Sequence, residues 1–230
     1  EPMNGPEVPS VAGIVLKNIR SIGNGAKSVI VVPNGATQTI DAYVMATDGS
    51  WESFSNINQN TTPGDVHIFA ESLELIAGSE NQFLLSWKER FTNANGTKED
   101  RYMTVTLHSM VDSTTGMTMW HWMGPSELRR APAGSDMTVE LVIDSQGTSY
   151  AVWSAMLSDS SKSMVYVNHT MDGVWMAEPE MLVEYDARSG VNASNPDITI
   201  NNLDMITIAW IENSSSATNS YQKVWVVEKQ

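Results

Sequence analysis

The chain alternates between short apolar runs and polar clusters, and it almost never shows the 3.6-residue spacing of an amphipathic helix. Three of the runs contain a tryptophan that follows a small or β-branched residue: QFLLSWKERF (82–91), SYAVWSAML (149–157) and MITIAWIEN (205–213). Each is apolar at both odd and even positions, which is typical of a strand covered on both faces. The pattern predicts an all-β protein whose sheets stack on one another.

Further strand-like runs recur in a fixed order around these three. One apolar run precedes each tryptophan run, a second follows it after a polar loop, and a third carries a tryptophan near its start. This unit of about four antiparallel strands in roughly 45 to 65 residues matches the length of a β-propeller blade. The predicted blades of this single β-propeller-like domain (1–230) are approximately 10–58, 64–129, 133–184 and 193–230.

The last predicted blade stops after its third strand, because no further strand with an early tryptophan follows Trp225. An open sheet edge invites pairing with another strand. Three ways to complete the blade therefore remain open. The N-terminal segment PSVAGIVLKNI (9–19) supplies the missing strand, another chain supplies it, or the chain is part of a larger ring.

Two predicted hairpins share an Asp-Gly-x-Trp pattern, ATDGSW (46–51) and TMDGVW (170–175), and DSTTGMTMW (112–120) is a less complete copy. Aspartate accepts hydrogen bonds from nearby backbone amides in tight turns. Glycine adopts the positive φ that such turns need, and tryptophan buries a large apolar face. These properties favour a structural role over a catalytic one for Asp48, Gly49, Trp51, Asp172, Gly173 and Trp175.

These hairpins resemble the Asp-box, the Ser/Thr-x-Asp-x-Gly-x-Thr-Trp motif of sialidase-type (BNR) β-propellers, and the repeats extend the resemblance over residues 10–230. In that family the box joins the third and fourth strands of a blade, which matches its place here. The resemblance implies a propeller and suggests a hydrolase. Family sialidases bind a carboxylate with three arginines and carry an Arg-Ile-Pro signature. The only similar tripeptide in this chain is Arg130-Ala131-Pro132, so the resemblance assigns no catalytic residue to this sequence.

Charge and composition narrow the classes of function. The 230 residues include 27 acidic and 13 basic side chains, for a net charge of −14. A nucleic-acid-binding surface needs a clustered basic patch, and nothing larger than Arg129-Arg130 is present. No apolar run reaches the length of a membrane-spanning helix. The chain has no cysteine, which excludes disulfides and thiolate metal sites.

Five Asn-x-Ser/Thr sequons favour a secreted or cell-surface glycoprotein, since most of them fall in predicted loops that can accommodate a glycan. The chain opens on Glu1 rather than Met, as after removal of a signal peptide or when the numbering begins inside a longer protein. The candidate glycosylation sites are Asn60, Asn95, Asn168, Asn192 and Asn213, of which Asn168 lies in a predicted strand.

The stretch GMTMWHWMG (116–124) combines possible metal ligands with two tryptophans. In a strand, its methionines and histidine point to one face and the tryptophans to the other. Thioether and imidazole groups suit Cu(I). Methionine is also an adaptable core residue, and side chains along one strand diverge from a single ion, so packing is the favoured interpretation. The soft-metal candidates are Met117, Met119, His121 and Met123, and no cofactor is predicted.

The predicted function is binding or scaffolding outside the cell or at its surface, with a protein or carbohydrate as partner. A repeat scaffold offers a broad surface, and no catalytic motif stands out from the sequence. The alternative is a sialidase-like or other glycoside hydrolase. The candidate binding residues are Trp120, Trp122, Arg129 and Arg130, although packing between blades is the favoured role of both tryptophans.

Overall fold

The computed structural model describes residues 20–24, 27–45, 48–60, 65–78, 82–111, 113–114, 118–135, 138–156, 161–216 and 219–229. Within these ranges nearly all regular structure is β, in four antiparallel sheets that follow one another along the chain. The only helical segment in the described ranges is the 3-10 turn Ala187–Ser189. None of the described residues forms a helix long and apolar enough to cross a membrane. The predicted all-β class, with four successive strand units, is confirmed.

The chain divides after Ser135 into two compact units, Glu1–Ser135 (unit 1) and Asp136–Gln230 (unit 2). Each unit contains two of the four sheets. A single domain that spans both units remains a prediction. The N-terminal segment 9–19, one of the predicted sources of a final strand, lies outside the described residues.

Sheet 1 of unit 1 shows how polar and apolar residues alternate between solvent and core. In its third strand, Ile40, Ala42 and Val44 are fully buried while the residues between them are only partly buried. The same period of two places Val29 and Val31 in the core from the neighbouring strand. The strands of sheet 1, in spatial order, are β1 (Arg20–Asn24), β2 (Lys27–Asn34), β3 (Thr39–Met45) and β4 (Trp51–Phe54).

Sheet 2 completes the core of unit 1. Phe83, Leu85 and Trp87 pack in one cluster with the buried valines and isoleucine of sheet 1. The 14-residue seventh strand pairs along one edge with the sixth, and its other edge is shared by two shorter strands. The strands of sheet 2 are β5 (Val66–Ala77), β6 (Gln82–Thr92), β7 (Lys98–Val111), β8 (Thr118–Trp122) and β9 (Ser126–Pro132).

Sheet 3, in unit 2, repeats this plan: the edge of its third strand is again divided between two partners. The sequence predicts one continuous strand at each of these places, 117–128 and 173–182. The structure corrects both to a pair of strands, because Pro125 and Pro179 provide no backbone N–H for the ladder. The strands of sheet 3 are β10 (Glu140–Ile143), β11 (Ser149–Met156), β12 (Lys162–Met171), β13 (Val174–Trp175) and β14 (Glu180–Asp186).

Sheet 4 has three strands within the described residues, as predicted for the last blade. Its residues Ile198, Ile208 and Trp210 share a core cluster with Val165 and Val167 of sheet 3. The last strand pairs with its predecessor along its whole length, and no other described strand pairs with it. The strands are β15 (Val191–Ile200), β16 (Ile206–Ser216) and β17 (Asn219–Lys229).

Candidate functional site

A cavity of about 290 Å³ opens within unit 2. Residues from β11, β12, β14, β16, β17 and the segment between β13 and β14 meet there. Its buried apolar members, Val167, Ile206 and Ile208, belong to the core cluster of this unit, and Asn168 is its buried polar member. The members nearer solvent are mostly polar. The cavity is lined by Tyr150, Val167, Asn168, His169, Met176, Glu178, Glu180, Ile206, Ile208 and Lys229.

Tyr150 and His169 form one side of the cavity. They lie directly opposite each other on β11 and β12, and their rings stack with centroids 6.0 Å apart and planes inclined by 29°. The Tyr150 hydroxyl donates to Asp144 Oδ2 over 3.4 Å. Burial raises the pKa of Tyr150, and the nearby Asp144 carboxylate raises it further. Tyr150 therefore stays a neutral phenol at physiological pH.

The Asp-Gly-x-Trp turn fixes the adjoining part of the wall. Asp172 and Gly173 both have positive φ, 53° and 78°, which closes the tight turn between β12 and β13. Beyond the turn, the amide nitrogen of Met176 donates to the carbonyl of His169. Asn168, which is buried, donates through Nδ2 to the carbonyl of Met176 over 2.9 Å. The motif thus contributes to the site by holding the backbone around it.

Two carboxylates and one ammonium group give the cavity its charge. Glu178 and Glu180 flank Pro179 and are both exposed, and Lys229 near the end of β17 forms an ion pair with Glu180. The charged groups of the lining thus leave an excess of negative charge. This field disfavours an anionic ligand and is compatible with a neutral or cationic one. The sequence alone does not predict this group of lining residues, because they come from several strands and meet only in the folded unit.

The binding candidates named from sequence lie elsewhere, on β8 and β9 of unit 1. Trp120 is buried, with its ring centroid 6.0 Å from that of Phe83, and Trp122 packs edge-on against Phe54 at 6.3 Å. These contacts favour the packing alternative for both tryptophans. Arg129 is partly buried on β9, and none of the three residues lines the cavity of unit 2.

Arg130 lies in a group of ion pairs on sheet 2. Its guanidinium donates to both carboxylate oxygens of Glu127, over 2.8 and 2.6 Å, and contacts Glu99 at 3.4 Å. Arg90 and Arg101 also pair with carboxylates, those of Asp100 and Glu89. These three arginines are therefore already neutralised by protein groups, unlike the carboxylate-binding arginines that the sialidase resemblance would require.

The soft-metal candidates are only partly brought together by the hairpin. Met119 and His121 are exposed on β8 and share a face, whereas Met123 follows the strand and Met117 lies outside the described residues. His121 lies opposite His108 of β7. Burial lowers the pKa of His108, and the charge of His121 lowers it further. Within the described part of the chain, no group of three or more His, Cys, Asp or Glu residues is placed to hold a metal ion.

The other Asp-Gly-x-Trp turn, between β3 and β4, also has a structural geometry. Asp48 Oδ1 accepts hydrogen bonds from the amide and the hydroxyl of Ser50, over 2.9 and 2.6 Å. These bonds lower the pKa of Asp48. Gly49 has a φ of 83°, and Trp51 begins β4 in a partly buried position. Trp175 of the later turn is buried. Membership of the BNR family remains a prediction.

The sequons differ in accessibility. Asn95 is exposed in the turn between β6 and β7. The side-chain nitrogens of Asn60 and Asn213 donate to protein groups, the carbonyl of Gln38 and the hydroxyl of Ser194. Asn168 is buried as described above, and the fifth sequon residue, Asn192, is partly buried. Glycosylation at these positions remains a prediction.

No family model matches the chain, and no curated protein matches it. Among solved structures, an endo-arabinase from Bacteroides thetaiotaomicron VPI-5482 is 12% identical, with a TM-score of 0.41 over 94% of this chain and 76% of that one. A GH43 endo-arabinanase from Bacillus licheniformis is 14% identical, with a TM-score of 0.40 over 92% and 71%. Trypanosoma rangeli sialidase is 11% identical, with a TM-score of 0.47 over 92% and 38%. At these values the likeness assigns no role to any residue.

Proposed function

We propose that the chain binds a neutral carbohydrate in the cavity of unit 2. The observation that carries the proposal is the composition of this one cavity. Buried Val167, Ile206 and Ile208 provide an apolar surface, and carboxylate, ammonium and imidazole groups surround it. A concave, partly apolar site with a few converging polar groups is the usual form of a small-molecule site.

The chemistry of the lining matches that of a sugar ring. A pyranose or furanose presents C–H groups, which pack against apolar and aromatic surface, and hydroxyls, which donate to carboxylates. Glu178 and Glu180 supply acceptors, while Lys229 and His169 supply donors. The volume of about 290 Å³ is at the lower end of the range for small-molecule pockets. It suits one or two sugar residues, such as the end of a glycan chain.

The excess of negative charge narrows the class of sugar. An acidic sugar such as a sialic acid would bring its carboxylate close to Glu178 and Glu180, which costs free energy where water is partly excluded. The proposal therefore specifies neutral sugars.

The proposal also includes a secreted or cell-surface location. This location is supported by the sequons, and in particular by the exposed position of Asn95.

Titration calorimetry with neutral arabino-, galacto- and gluco-oligosaccharides tests the proposal, with sialyllactose as the anionic comparison. We expect at least one neutral ligand to bind and sialyllactose to bind more weakly. His169→Ala removes a ring and a donor from the wall, so we expect about tenfold weaker binding, equivalent to about 1.4 kcal/mol. His67→Ala is the matched control, because His67 is also exposed and packs on an aromatic ring, that of Phe69 at 5.1 Å.

Two results would contradict the proposal. One is an absence of binding by every neutral sugar to the wild-type chain. The other is equal weakening by His169→Ala and His67→Ala, which would place the ligand outside the cavity or report a general loss of folded protein.

A second candidate function, glycoside hydrolysis, is favoured by the presence of two carboxylates in the same cavity. Hydrolysis of a glycosidic bond commonly uses a pair of carboxyl groups in different surroundings. Here Glu180 is paired with Lys229, and Glu178 lies two residues away.

An assay for reducing ends released from the same oligosaccharides tests hydrolysis. Release by the wild-type chain that is abolished in Glu178→Gln or Glu180→Gln would support it. Glu184→Gln is the control, because Glu184 also pairs with a lysine, Lys162 at 2.7 Å, but does not line the cavity. If the chain binds the oligosaccharides but releases no reducing ends, hydrolysis is contradicted and carbohydrate binding is the only one of the two functions supported.

A further inference from the structure

We propose that the β7–β8 hairpin of unit 1 binds one Cu(I) ion through the imidazoles of His108 and His121 and the thioethers of Met110 and Met119. The two strands of this hairpin bring together residues that are nine to thirteen positions apart in sequence. Only two of the four ligands, Met119 and His121, belong to the stretch that sequence analysis singles out.

The strand register places the four side chains on one face. Met110 lies directly opposite Met119, and His108 directly opposite His121. Directly paired residues project to the same side of a sheet, as do residues two apart along a strand. The four β-carbons therefore occupy the corners of a rectangle of about 5 by 7 Å. Long, flexible side chains can converge from such corners on a point above the sheet.

Four ligands on one strand could not easily reach a single ion, but four ligands on two facing strands can. Ligands along one strand diverge, whereas here two strands each contribute an imidazole and a thioether from facing positions. The His108 and His121 ring centroids are 5.8 Å apart, with planes inclined by 67°. Two imidazoles that bind one ion through nitrogens about 2.0 Å from it have ring centroids within about 6 Å of each other. The observed pair fits that limit.

The exposure of the two methionines distinguishes them from core methionines. Met110 and Met119 are 54% and 53% exposed, whereas Met103 and Met164 are 7% and 4% exposed. A methionine that fills a gap in the core needs apolar neighbours around it, and Met110 and Met119 leave half of their surface to solvent. Packing accounts for the buried pair but not for this exposed cross-strand pair.

The donor set selects the class of ion. Thioethers are soft ligands that favour Cu(I), and imidazole is compatible with the same ion. Calcium and magnesium require oxygen ligands, and none of the four proposed ligands supplies one. Two nitrogens and two thioether sulfurs therefore point to Cu(I) rather than to a hard divalent cation.

Anaerobic titration of the full chain with Cu(I), in competition with the chromophoric chelator bicinchoninate, tests the proposal. We expect one equivalent to bind. Loss of one outer-sphere partner already costs 10- to 100-fold in metal affinity, so loss of both imidazoles in His108→Gln/His121→Gln should lower the affinity at least about 100-fold. Met110→Leu/Met119→Leu keeps the volume of exposed side chains and should also lower it, by about tenfold or more.

The controls separate ligation from a general effect of methionine content or folding. Met156→Leu/Met171→Leu alters two other exposed methionines, 52% and 59% exposed, and should leave the affinity unchanged. Circular dichroism and Tm establish that each variant is folded. X-ray absorption of the Cu(I)-loaded chain should show both nitrogen and sulfur ligands. The proposal is overturned by the absence of stoichiometric binding, by folded double variants that retain full affinity, or by a ligand shell containing only one of the two elements.

Discussion

At Asp100, a carboxylate with no exposed side-chain surface is surrounded by donors. Arg90 donates to it over 2.7 and 3.1 Å, the amide of Gly134 donates over 2.8 Å, and the Lys88 ammonium lies 3.4 Å away. Burial by itself would raise the pKa of Asp100, but the hydrogen bonds from Arg90 and Gly134 and the charge of Lys88 outweigh it and lower the pKa. The folded chain therefore holds this side chain as an anion.

We expect Asp100→Asn to lower the free energy of unfolding by about 2 to 3 kcal/mol at pH 7. Removing one partner of a buried ion pair commonly costs about 3 to 5 kcal/mol, and the partial exposure of Arg90 and Lys88 reduces the loss. Urea denaturation gives the value. Asp65→Asn, at an exposed aspartate of the same unit, is the control and should change the value by less than about 0.5 kcal/mol.

The ion pairs of Asp100 also predict how the free energy of unfolding changes with pH. A folded-state pKa below the unfolded value of about 3.9 means that the unfolded chain binds the proton more readily. The stabilisation from Asp100 is thus complete above about pH 5 and is lost progressively as pH falls through the unfolded-state pKa towards the folded-state pKa. The difference in stability between wild type and Asp100→Asn should shrink over that acidic range. A constant difference between pH 2 and pH 7 would contradict this account.

The sequence gives little indication of this buried charge. Lys88, Arg90 and Asp100 occur in KER and KED segments that flank an Asn- and Gly-containing turn, and such segments are usually solvated. Only the register of β6 and β7, which pairs Arg90 with Asp100, shows that they meet across two strands. Composition and spacing along the chain do not encode this pairing directly.

At the scale of elements, alternation and apolar runs predict strands well because each strand's pattern is local. Ile40, Ala42 and Val44 of β3 show the period of two directly in the sequence. The cavity of unit 2 could not be predicted in the same way. Tyr150, His169 and Lys229 come from three strands, and which strands are neighbours is decided by long-range pairing rather than by local pattern.

Strand β17 has two faces with different partners. On one face, Tyr221 and Trp225 donate to the two carboxylate oxygens of Glu212, over 2.8 and 2.7 Å. The hydrogen bond from Tyr221 is the main cause of the lowered pKa of Glu212. On the other face, Val224 and Val226 are 71% and 57% exposed. Among the described residues, no strand pairs with the outer edge of β17.

An edge strand with exposed apolar residues, unpaired on its outer side among the described residues, favours pairing between chains. We expect the wild-type chain to self-associate as its concentration rises, and Val224→Lys/Val226→Lys to suppress the association, because lysine on an edge strand opposes edge-to-edge pairing. Sedimentation velocity over a range of concentrations measures the effect. Leu203→Lys is the control, since Leu203 is 76% exposed but lies in a turn. Identical sedimentation of wild type and the double variant at every concentration would rule out association through β17.

At the scale of the whole molecule, the repeated strand order along the sequence predicts four successive sheets because each sheet is formed by consecutive segments of chain. The spacing of the apolar runs does not predict that the edge of β7 is divided between β8 and β9, and the edge of β12 between β13 and β14. Pro125 and Pro179 signal these breaks in the sequence. A proline inside an apparently continuous strand-like run therefore indicates where the strand divides into two.

The net charge of −14 acts on the stability of the whole chain. Like charges repel over distances comparable with the Debye length, which falls from about 20 Å at 20 mM salt to about 7 Å at 200 mM. Salt also weakens exposed attractive pairs such as Arg130 with Glu127, but each such pair contributes at most about 1 kcal/mol. With 27 acidic and 13 basic residues, repulsion should dominate, so screening should stabilise the fold.

We therefore expect Tm at pH 7 to rise by about 2 to 4 °C between 20 and 200 mM NaCl, which corresponds to about 1 kcal/mol for a chain of this length. Calorimetry on dilute protein measures the shift without interference from association through β17. The control is the same salt series near pH 4.5, the isoelectric point of the sequence, where the net charge and hence the effect of screening should nearly vanish. A Tm that falls with salt at pH 7, or that rises equally at both pH values, would show that specific ion pairs or ion binding, rather than the overall excess of negative charge, determine the salt response.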